Sequence, residues 1–301
     1  MIVNRANLVN LGISFNAAYQ QAILQAKPLS DRVATQVNST TKTEEYGWIG
    51  KVPNVRQWLG DRMVQNLATS SYTIKNLPWE LTIAVDRDDI EDDNLGIYSP
   101  LFSEMGLSTV AHKDQLVYGA LNAGFTGLAF DGLPYFSPNH TVLDVNGQPT
   151  VYANTDNAPG GGAGWYLMDA SRYIKPIIFQ DRKPFTFVAL DKPEDENVFN
   201  RREYIYGVDA RHNVGYGFPQ FCWGSTGPLD AAHYGAARAA LMSLKSDFGR
   251  PIGVMPSLLV VPPTLEPAAL AILNAEFLPG GGGGSNIYWK TAELLTVPWL
   301  A

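Results

Sequence analysis

The sequence of 301 residues contains one cysteine, Cys222, and no long apolar run. A single cysteine excludes any disulfide within the chain. No apolar stretch reaches the ~18 residues that a membrane-spanning helix needs. The segment MIVNRANLVNLGISF at the start of the sequence also lacks the basic start and apolar centre of a secretory signal. These absences predict a protein that folds in a reducing cytoplasm and has no membrane partner.

Charged residues are scarce as well, at 17% of the chain. The 22 basic residues are outnumbered by 29 acidic ones, so the net charge is −7. Proteins that read nucleic acids usually present a basic face, and no cluster of Lys and Arg forms one here. An acidic wall can still enclose DNA, because like-charge repulsion keeps the DNA from adhering to it. The low charge also leaves a surface that is easily buried against partners.

Acidic residues are concentrated in VDRDDIEDDN over 85–94. A calcium loop needs glycine at its sixth position, but counting from Asp86 puts a glutamate there and counting from Asp89 puts an asparagine. A loosely bound cation at Asp86–Asp93 and a hydrolytic site using Asp86, Asp88 and Asp89 remain alternatives. The favoured interpretation is that these carboxylates precede a helix, where each stabilises the helix dipole by about 0.3–1 kcal/mol.

Motifs for catalysis and cofactors are missing elsewhere. GGGGGSNIYWKT has Trp289 where the Walker pattern needs glycine before lysine, and GYGFPQ lacks the third glycine of a dinucleotide fingerprint. The four histidines are scattered without metal-ligand spacing. Cys222 lies in an apolar setting that does not favour a catalytic thiolate. The sequence therefore predicts no enzyme, no cofactor and no metal site.

Periodicity predicts the first elements of the chain. Residues 7–26 carry Leu8, Leu11 and Phe15 at roughly helical spacing. This pattern is typical either of a core helix or of an arm that packs on a neighbouring subunit. Residues 77–85 alternate between large apolar and smaller or polar side chains, as a strand with one covered face does.

The rest of the chain divides into helical and strand-rich stretches. A long helix is predicted over 99–125, with Ser99 as its N-cap. Short strands are predicted in KPIIFQ, PFTFVAL and REYIYGVDA, and later in PSLLVVP and AELLTVPWL. Further helices are predicted over 228–247 and 264–274, capped by Asp230 and Thr264.

Residues 38–71 are polar and broken by glycine, yet they carry several large aromatic groups. A plain linker does not need such groups, and aromatic anchors on exposed loops are common at interfaces. An interface loop is therefore predicted, with a loop packed on its own subunit as the alternative. The predicted subunit-contact residues in the loop and in the first helix are Tyr46, Trp48, Arg56, Trp58, Arg62, Leu8, Leu11 and Phe15. The two arginines are expected to pair with acidic groups across the contact.

Several long motifs resemble the Mu-like bacteriophage major head subunits. They are YGWIGKVPNVRQWLGDR, the acidic stretch followed by LGIY, DGLPYFSPNH, YLMDASRYIKPIIFQDRKP, YGVDARHNVGYGFPQ and LLVVPPTLEPAALAILN. The resemblance spans nearly the whole chain. It implies an α+β protein with the Hong Kong 97 phage capsid fold. The implied parts are an N-terminal arm (1–36), an extended E-loop (37–84), a peripheral domain (85–165) with a spine helix (99–125), a strand-rich segment of peripheral or axial character (166–227), and an axial domain (228–301).

The same resemblance implies a function. The chain is expected to self-assemble into pentamers and hexamers of an icosahedral shell around double-stranded DNA, without sequence-specific contact to that DNA. Scaffold and portal proteins are the expected partners during assembly in the host cytoplasm, and the virion is the final location. The alternatives are another virion protein, such as a tail or decoration component, and the hydrolase described above.

Overall fold

The computed structural model of the chain describes residues 5–47, 72–92, 98–156, 161–192, 194–277 and 284–301. Its α-helices are α1 (Arg5–Gln25), α2 (Arg87–Glu91), α3 (Tyr98–Asn122), α4 (Glu196–Arg201), α5 (Ala231–Met242) and α6 (Glu266–Leu273). Its strands are β1 (Ala34–Asn38), β2 (Thr43–Glu45), β3 (Thr73–Lys75), β4 (Leu77–Asp86), β5 (His140–Leu143), β6 (Pro149–Tyr152), β7 (Trp165–Met168), β8 (Ile177–Leu190), β9 (Glu203–Tyr216), β10 (Cys222–Ser225), β11 (Lys245–Ser246), β12 (Arg250–Pro251), β13 (Leu258–Val261) and β14 (Glu293–Thr296). This mixture of helices and largely antiparallel strands confirms the α+β class.

The first sheet has the strand order β1-β8-β9-β4 and is built around its two longest strands. β8 and β9 are antiparallel, β4 is antiparallel to the other edge of β9, and β1 is parallel to β8. Alternate residues are buried along most of β9 and half-buried along β4. The alternation predicted over 77–85 is therefore confirmed, and it is typical of a sheet with one covered face.

The second sheet has the order β10-β7-β13-β14 and is covered on both faces. Every residue of β7, β10 and β13 is buried. One face packs against α5 and α6, and the other packs against the C-terminal half of α3. A strand that is buried on both sides reads as a continuous apolar run, so the buried strand predicted in PSLLVVP is confirmed.

The strand-rich segment 166–227 contributes to both sheets. Its long strands β8 and β9 form the centre of the first sheet, whereas β10 and most of β7 belong to the second. The same core joins the C-terminal half of α3, the start of β8 and the second sheet. The assignment of this segment to a peripheral or an axial domain stays a prediction.

The long helix α3 lies on the first sheet, and α1 packs along α3. Gly106 makes this approach possible, because a Cβ atom there would lie 2.6 Å from the carbonyl oxygen of Tyr19 and 2.9 Å from Cβ of Ala22. Of the two interpretations of residues 7–26, the core helix is the one that the structure shows. Among the described residues, no helix combines the length and apolar character needed to cross a membrane.

Several predicted boundaries differ from the structure. The two short strands predicted in KPIIFQ and PFTFVAL form one long strand, β8. Pro184 does not end it, because this residue lies at a register shift where a missing N–H is tolerated. Thr264 is not the cap of α6, because it lies within the 3-10 turn Pro263–Leu265 that precedes the helix. Ser99 lies inside the first turn of α3, which begins one residue earlier. The predicted cap of α5 is confirmed, as Asp230 accepts a hydrogen bond from the His233 N–H at 2.8 Å.

Candidate functional site

The described part of the acidic stretch, residues 85–92, runs from the end of β4 through the short helix α2. Asp86 caps the short helix α2 by accepting a hydrogen bond from the Asp88 N–H at 2.8 Å. Asp88 forms an ion pair with Arg202 at the start of β9, and the Tyr98 hydroxyl donates a hydrogen bond to Asp89. These contacts hold the end of β4 and α2 against Arg202 and Tyr98, and Asp86 places a carboxylate at the N-terminus of α2. The expected interaction with the dipole of the long helix stays a prediction.

Asp86, Asp88 and Asp89 are each engaged by groups of the chain itself. Within the described residues, no group of three or more Asp, Glu, His or Cys side chains could hold a metal ion. Burial and the hydrogen bond to Asp89 raise the pKa of Tyr98 to about 12, so its hydroxyl stays protonated and remains a donor. Residue 93 lies outside the described residues.

The base of the predicted E-loop is anchored on its own subunit. β2 and β3 pair antiparallel there, and the buried Tyr46 hydroxyl donates to Oε1 of Gln180 in β8 at 2.7 Å. The Gln180 amide in turn donates to the Ile74 carbonyl at 3.0 Å and to Oδ1 of Asn76 at 2.8 Å. Burial, with a smaller contribution from Glu44, raises the pKa of Tyr46 above its ordinary value. Tyr46 thus positions the loop, of which residues 48–71 lie outside the described part.

Four of the predicted contact residues lie inside the subunit. Leu8, Leu11, Phe15 and Tyr46 are all buried against their own chain, and the Phe15 ring stacks on Phe102 with a centroid distance of 4.1 Å. The other four lie within 48–71, outside the described residues, and stay predictions: Trp48, Arg56, Trp58 and Arg62.

The outer face of α1 carries the apolar side chains that the core does not bury. Val9 is 50% exposed, Ile13 is 62% exposed and Leu24 is 85% exposed. The only charged residue of this helix is Arg5. The sequence did not predict this face, because the buried residues of α1 already account for the helical spacing of its apolar residues.

A second exposed apolar area borders the glycine-rich segment near the end of α6. Leu270, Phe277, Ile287 and Trp289 are exposed there, and Phe277 and Ser285 form an isolated bridge across the segment. These residues and the exposed residues of α1 belong to different segments of the chain.

The DGLPYFSPNH motif forms a folded loop that fastens the two sheets together. His140 is buried, with Nδ1 2.6 Å from Oδ2 of Asp131 and Nε2 3.1 Å from the Tyr135 carbonyl. The Asn154 amide donates to the carbonyls of Tyr135 and Cys222 at 2.8 and 3.2 Å. Burial raises the pKa of the Cys222 thiol, which disfavours the thiolate. The motif and the cysteine therefore serve the fold.

The chain is similar to major head subunits of Mu-like phages over its full length. The model of the family described as Mu-like prophage major head subunit gpT matches residues 8–300. The Mu-like prophage FluMu major head subunit of Haemophilus influenzae is 37% identical over 289 residues, covering 94% of each chain. The major capsid protein of Escherichia phage Mu is 36% identical over 306 residues, covering all of both chains.

Solved structures of capsid subunits match it as well. A subunit in the procapsid of bacteriophage JBD30 superposes with a TM-score of 0.87 and 38% identity, covering 99% of this chain and 100% of that one. A subunit in the JBD30 capsid superposes with a TM-score of 0.80 and 29% identity, covering 100% of both.

Proposed function

The chain belongs to the Mu-like prophage major head subunit family, and we propose that it assembles into the pentamers and hexamers of an icosahedral phage head. It is a major capsid protein with a Hong Kong 97-like fold. The observation that carries the proposal is its full-length structural similarity to a procapsid subunit. A chain that shares almost the whole backbone of a shell subunit is expected to make a shell of the same kind.

The shell encloses double-stranded DNA without reading its sequence. The support for this step is the net charge of −7, because an acidic inner wall repels the DNA and lets it slide during packaging. Scaffold and portal proteins take part in assembly, which occurs in the host cytoplasm, and the finished subunit is part of the virion.

The outer face of α1 and the loop at 48–71 form the contacts between neighbouring subunits. The apolar stripe from Val9 through Ile13 to Leu24 extends for about 22 Å at 1.5 Å per residue, and no charged residue interrupts it. An uncharged face loses little hydration energy when it is covered. Trp48 and Trp58 act as the aromatic anchors of the loop, and Arg56 and Arg62 pair with acidic groups across the contact.

Electron microscopy of the chain produced together with a scaffold protein tests the proposal. Closed shells with the wild-type chain are the expected result. A stable small monomer under these conditions would contradict the assembly, and a low copy number in virions would favour a tail or decoration protein, because a shell subunit is the most abundant component.

The variant Ile13→Glu tests the contact on α1, and Gln21→Glu on the side of the same helix is its control. Both residues are exposed, so both variants are expected to keep the helical circular dichroism of the free subunit. Ile13→Glu should reduce the yield of shells at least about tenfold, because a carboxylate is desolvated at the contact, whereas Gln21→Glu should not. Trp58→Ala is expected to act like Ile13→Glu. Normal shells with both Ile13→Glu and Trp58→Ala would show that these surfaces are not the contact.

A further inference from the structure

Two histidines face each other between the middle of α3 and the first sheet. The ring centroids of His112 in α3 and His212 in β9 are 5.2 Å apart, and His212 is only 3% exposed. Nε2 of each ring is buried and has no hydrogen-bond partner among the described residues. Trp79 of β4 lies edge-on to His112 with a centroid distance of 4.4 Å. His112 is half-buried, and both rings lie among aromatic side chains. A proton on either ring would lose hydration without gaining a hydrogen-bond partner at Nε2, so this arrangement favours neutral rings.

The sheet is least regular at this position. β8 loses its even register with β9 between Asp181 and Thr186, next to His212. Two clefts adjoin the pair, one lined by His112 and Trp79 and the other lined by His212. A small displacement of α3 from the sheet would therefore bring water to both rings.

Three charged groups line the two clefts beside the pair. Lys113 follows His112 in α3 and is paired with Asp31 at 2.7 Å. Asp181 of β8 lines the cleft beside His212, and Glu80 of β4 lines the cleft beside His112. The segment of α1 at the second cleft contributes the uncharged Gln20.

The electrostatic environment favours neutral rings. Burial lowers the pKa of His112 below its ordinary value. Burial, then His112 and then Lys113, lower the pKa of His212 to about 4. Burial raises the pKa of the Asp181 carboxyl group. Asp181 is therefore more readily neutral, and a neutral carboxyl group stabilises a proton on His212 less than a carboxylate does.

We propose that His112 and His212 form an acid-sensitive latch: neutral rings hold the middle of α3 on the first sheet, and a proton on either ring favours an arrangement in which the helix moves off the sheet. We call this pair the histidine latch. It belongs to the folded subunit and goes beyond shell formation, on which it does not depend.

The sign of the effect follows from proton linkage. A histidine whose pKa is lower in the closed arrangement than in water binds more protons in the open one. The closed arrangement is therefore fully favoured above the ordinary pKa of about 6.5. Its stability relative to the open arrangement decreases as the pH falls toward about 4, the pKa of His212 in the closed arrangement. Burial raises the pKa of Asp181 in the closed arrangement, so proton binding there favours that arrangement and offsets part of this loss.

Hydrogen exchange of the unassembled full chain tests the latch. After correction for the intrinsic rate, amides in 109–116 and 208–214 should exchange faster as the pH falls from 6.5 to 4.5, by up to about tenfold per pH unit for each proton bound. Amides in 258–261 of the second sheet should not change. The double variant His112→Phe and His212→Phe keeps two aromatic rings and should lose the dependence, whereas His233→Phe on α5 should keep it.

Two results would overturn the latch. One is equal pH dependence in the wild type and the double variant. The other is a wild-type protein in which the amide exchange of 109–116 depends on pH no more than that of 258–261. This result needs only the wild type, so it holds even if the double variant does not fold. A nuclear magnetic resonance titration of the wild-type imidazoles gives a second measure, and two rings that titrate near 6.5 would also contradict the proposal.

Discussion

The two four-stranded sheets of this subunit differ in how their faces are covered. The second sheet has apolar cores on both faces, and every residue of β7, β10 and β13 is buried. The first sheet has its large apolar face under α1 and α3. Its reverse face combines a small apolar cluster around Ile178 with polar contacts such as those of Gln180. A sheet covered on both sides is held by burial, which varies little with pH, whereas a sheet covered on one side also depends on hydrogen bonds and charge states.

The contrast extends to how easily each sheet can change. The long strands β8 and β9 contain a register irregularity and the histidine pair lies over them, while the pairing of β13 with β7 and β14 is regular. A bulge disrupts the strand pairing locally, and a buried histidine pair adds a contact whose strength depends on protonation. We therefore expect the first sheet to be the adaptable part of the subunit and the second sheet to be the fixed part.

The largest effect is expected in the second sheet. Leu259 is fully buried in β13, so Leu259→Ala should lower the free energy of unfolding by about 2–5 kcal/mol. Leu81→Ala in β4 removes the same atoms from a half-buried position, and about 1 kcal/mol is expected. Urea unfolding followed by circular dichroism measures both. Equal losses would mean that the two sheets are equally well packed.

An intermediate effect is expected where α1 crosses α3 over the first sheet. In Gly106→Ala the new Cβ meets the Tyr19 backbone, and overpacking of this kind costs about 1–3 kcal/mol. Gly119→Ala in the same helix meets nothing within 4 Å, so it should stabilise the protein by up to about 1 kcal/mol through helix propensity. Thermal unfolding of the two variants compares them directly. A stabilising Gly106→Ala would show that the two helices separate easily.

The contrast between the sheets also explains what the sequence predicts well. The apolar run LLVV and the alternation over 77–85 reflect burial on two faces and on one face, and both strands are where the sequence places them. The single strand β8 was not predicted, because Pro184 normally ends a strand and only the register shift accommodates it.

The candidate contact surfaces were harder to predict for a physical reason. A helical period of apolar residues shows that one face is covered but does not say by what. Leu8, Leu11 and Phe15 are covered by the subunit's own helix and sheet, so the exposed Val9 and Ile13 became visible only in the structure. The latch was hidden as well, since 100 residues separate His112 from His212 in the sequence.

The smallest effect is expected behind the first sheet, at the turn over residues 40–44 that leads into β2. Glu44 accepts hydrogen bonds from the N–H groups of Thr40 at 2.8 Å and Thr41 at 3.0 Å and from the Ser39 hydroxyl at 2.9 Å, and these bonds, led by that of Thr40, lower its pKa to about 2. A carboxylate with a lowered pKa stabilises the fold above its unfolded pKa of about 4.3, and this contribution is lost as the pH falls through about 2. Glu44→Gln should therefore lower the urea midpoint at pH 7, and its difference from the wild type should shrink between pH 4.5 and 2. Glu45→Gln removes the same charge one residue along, and a matching change there would mean that net charge, rather than the turn, determines the effect.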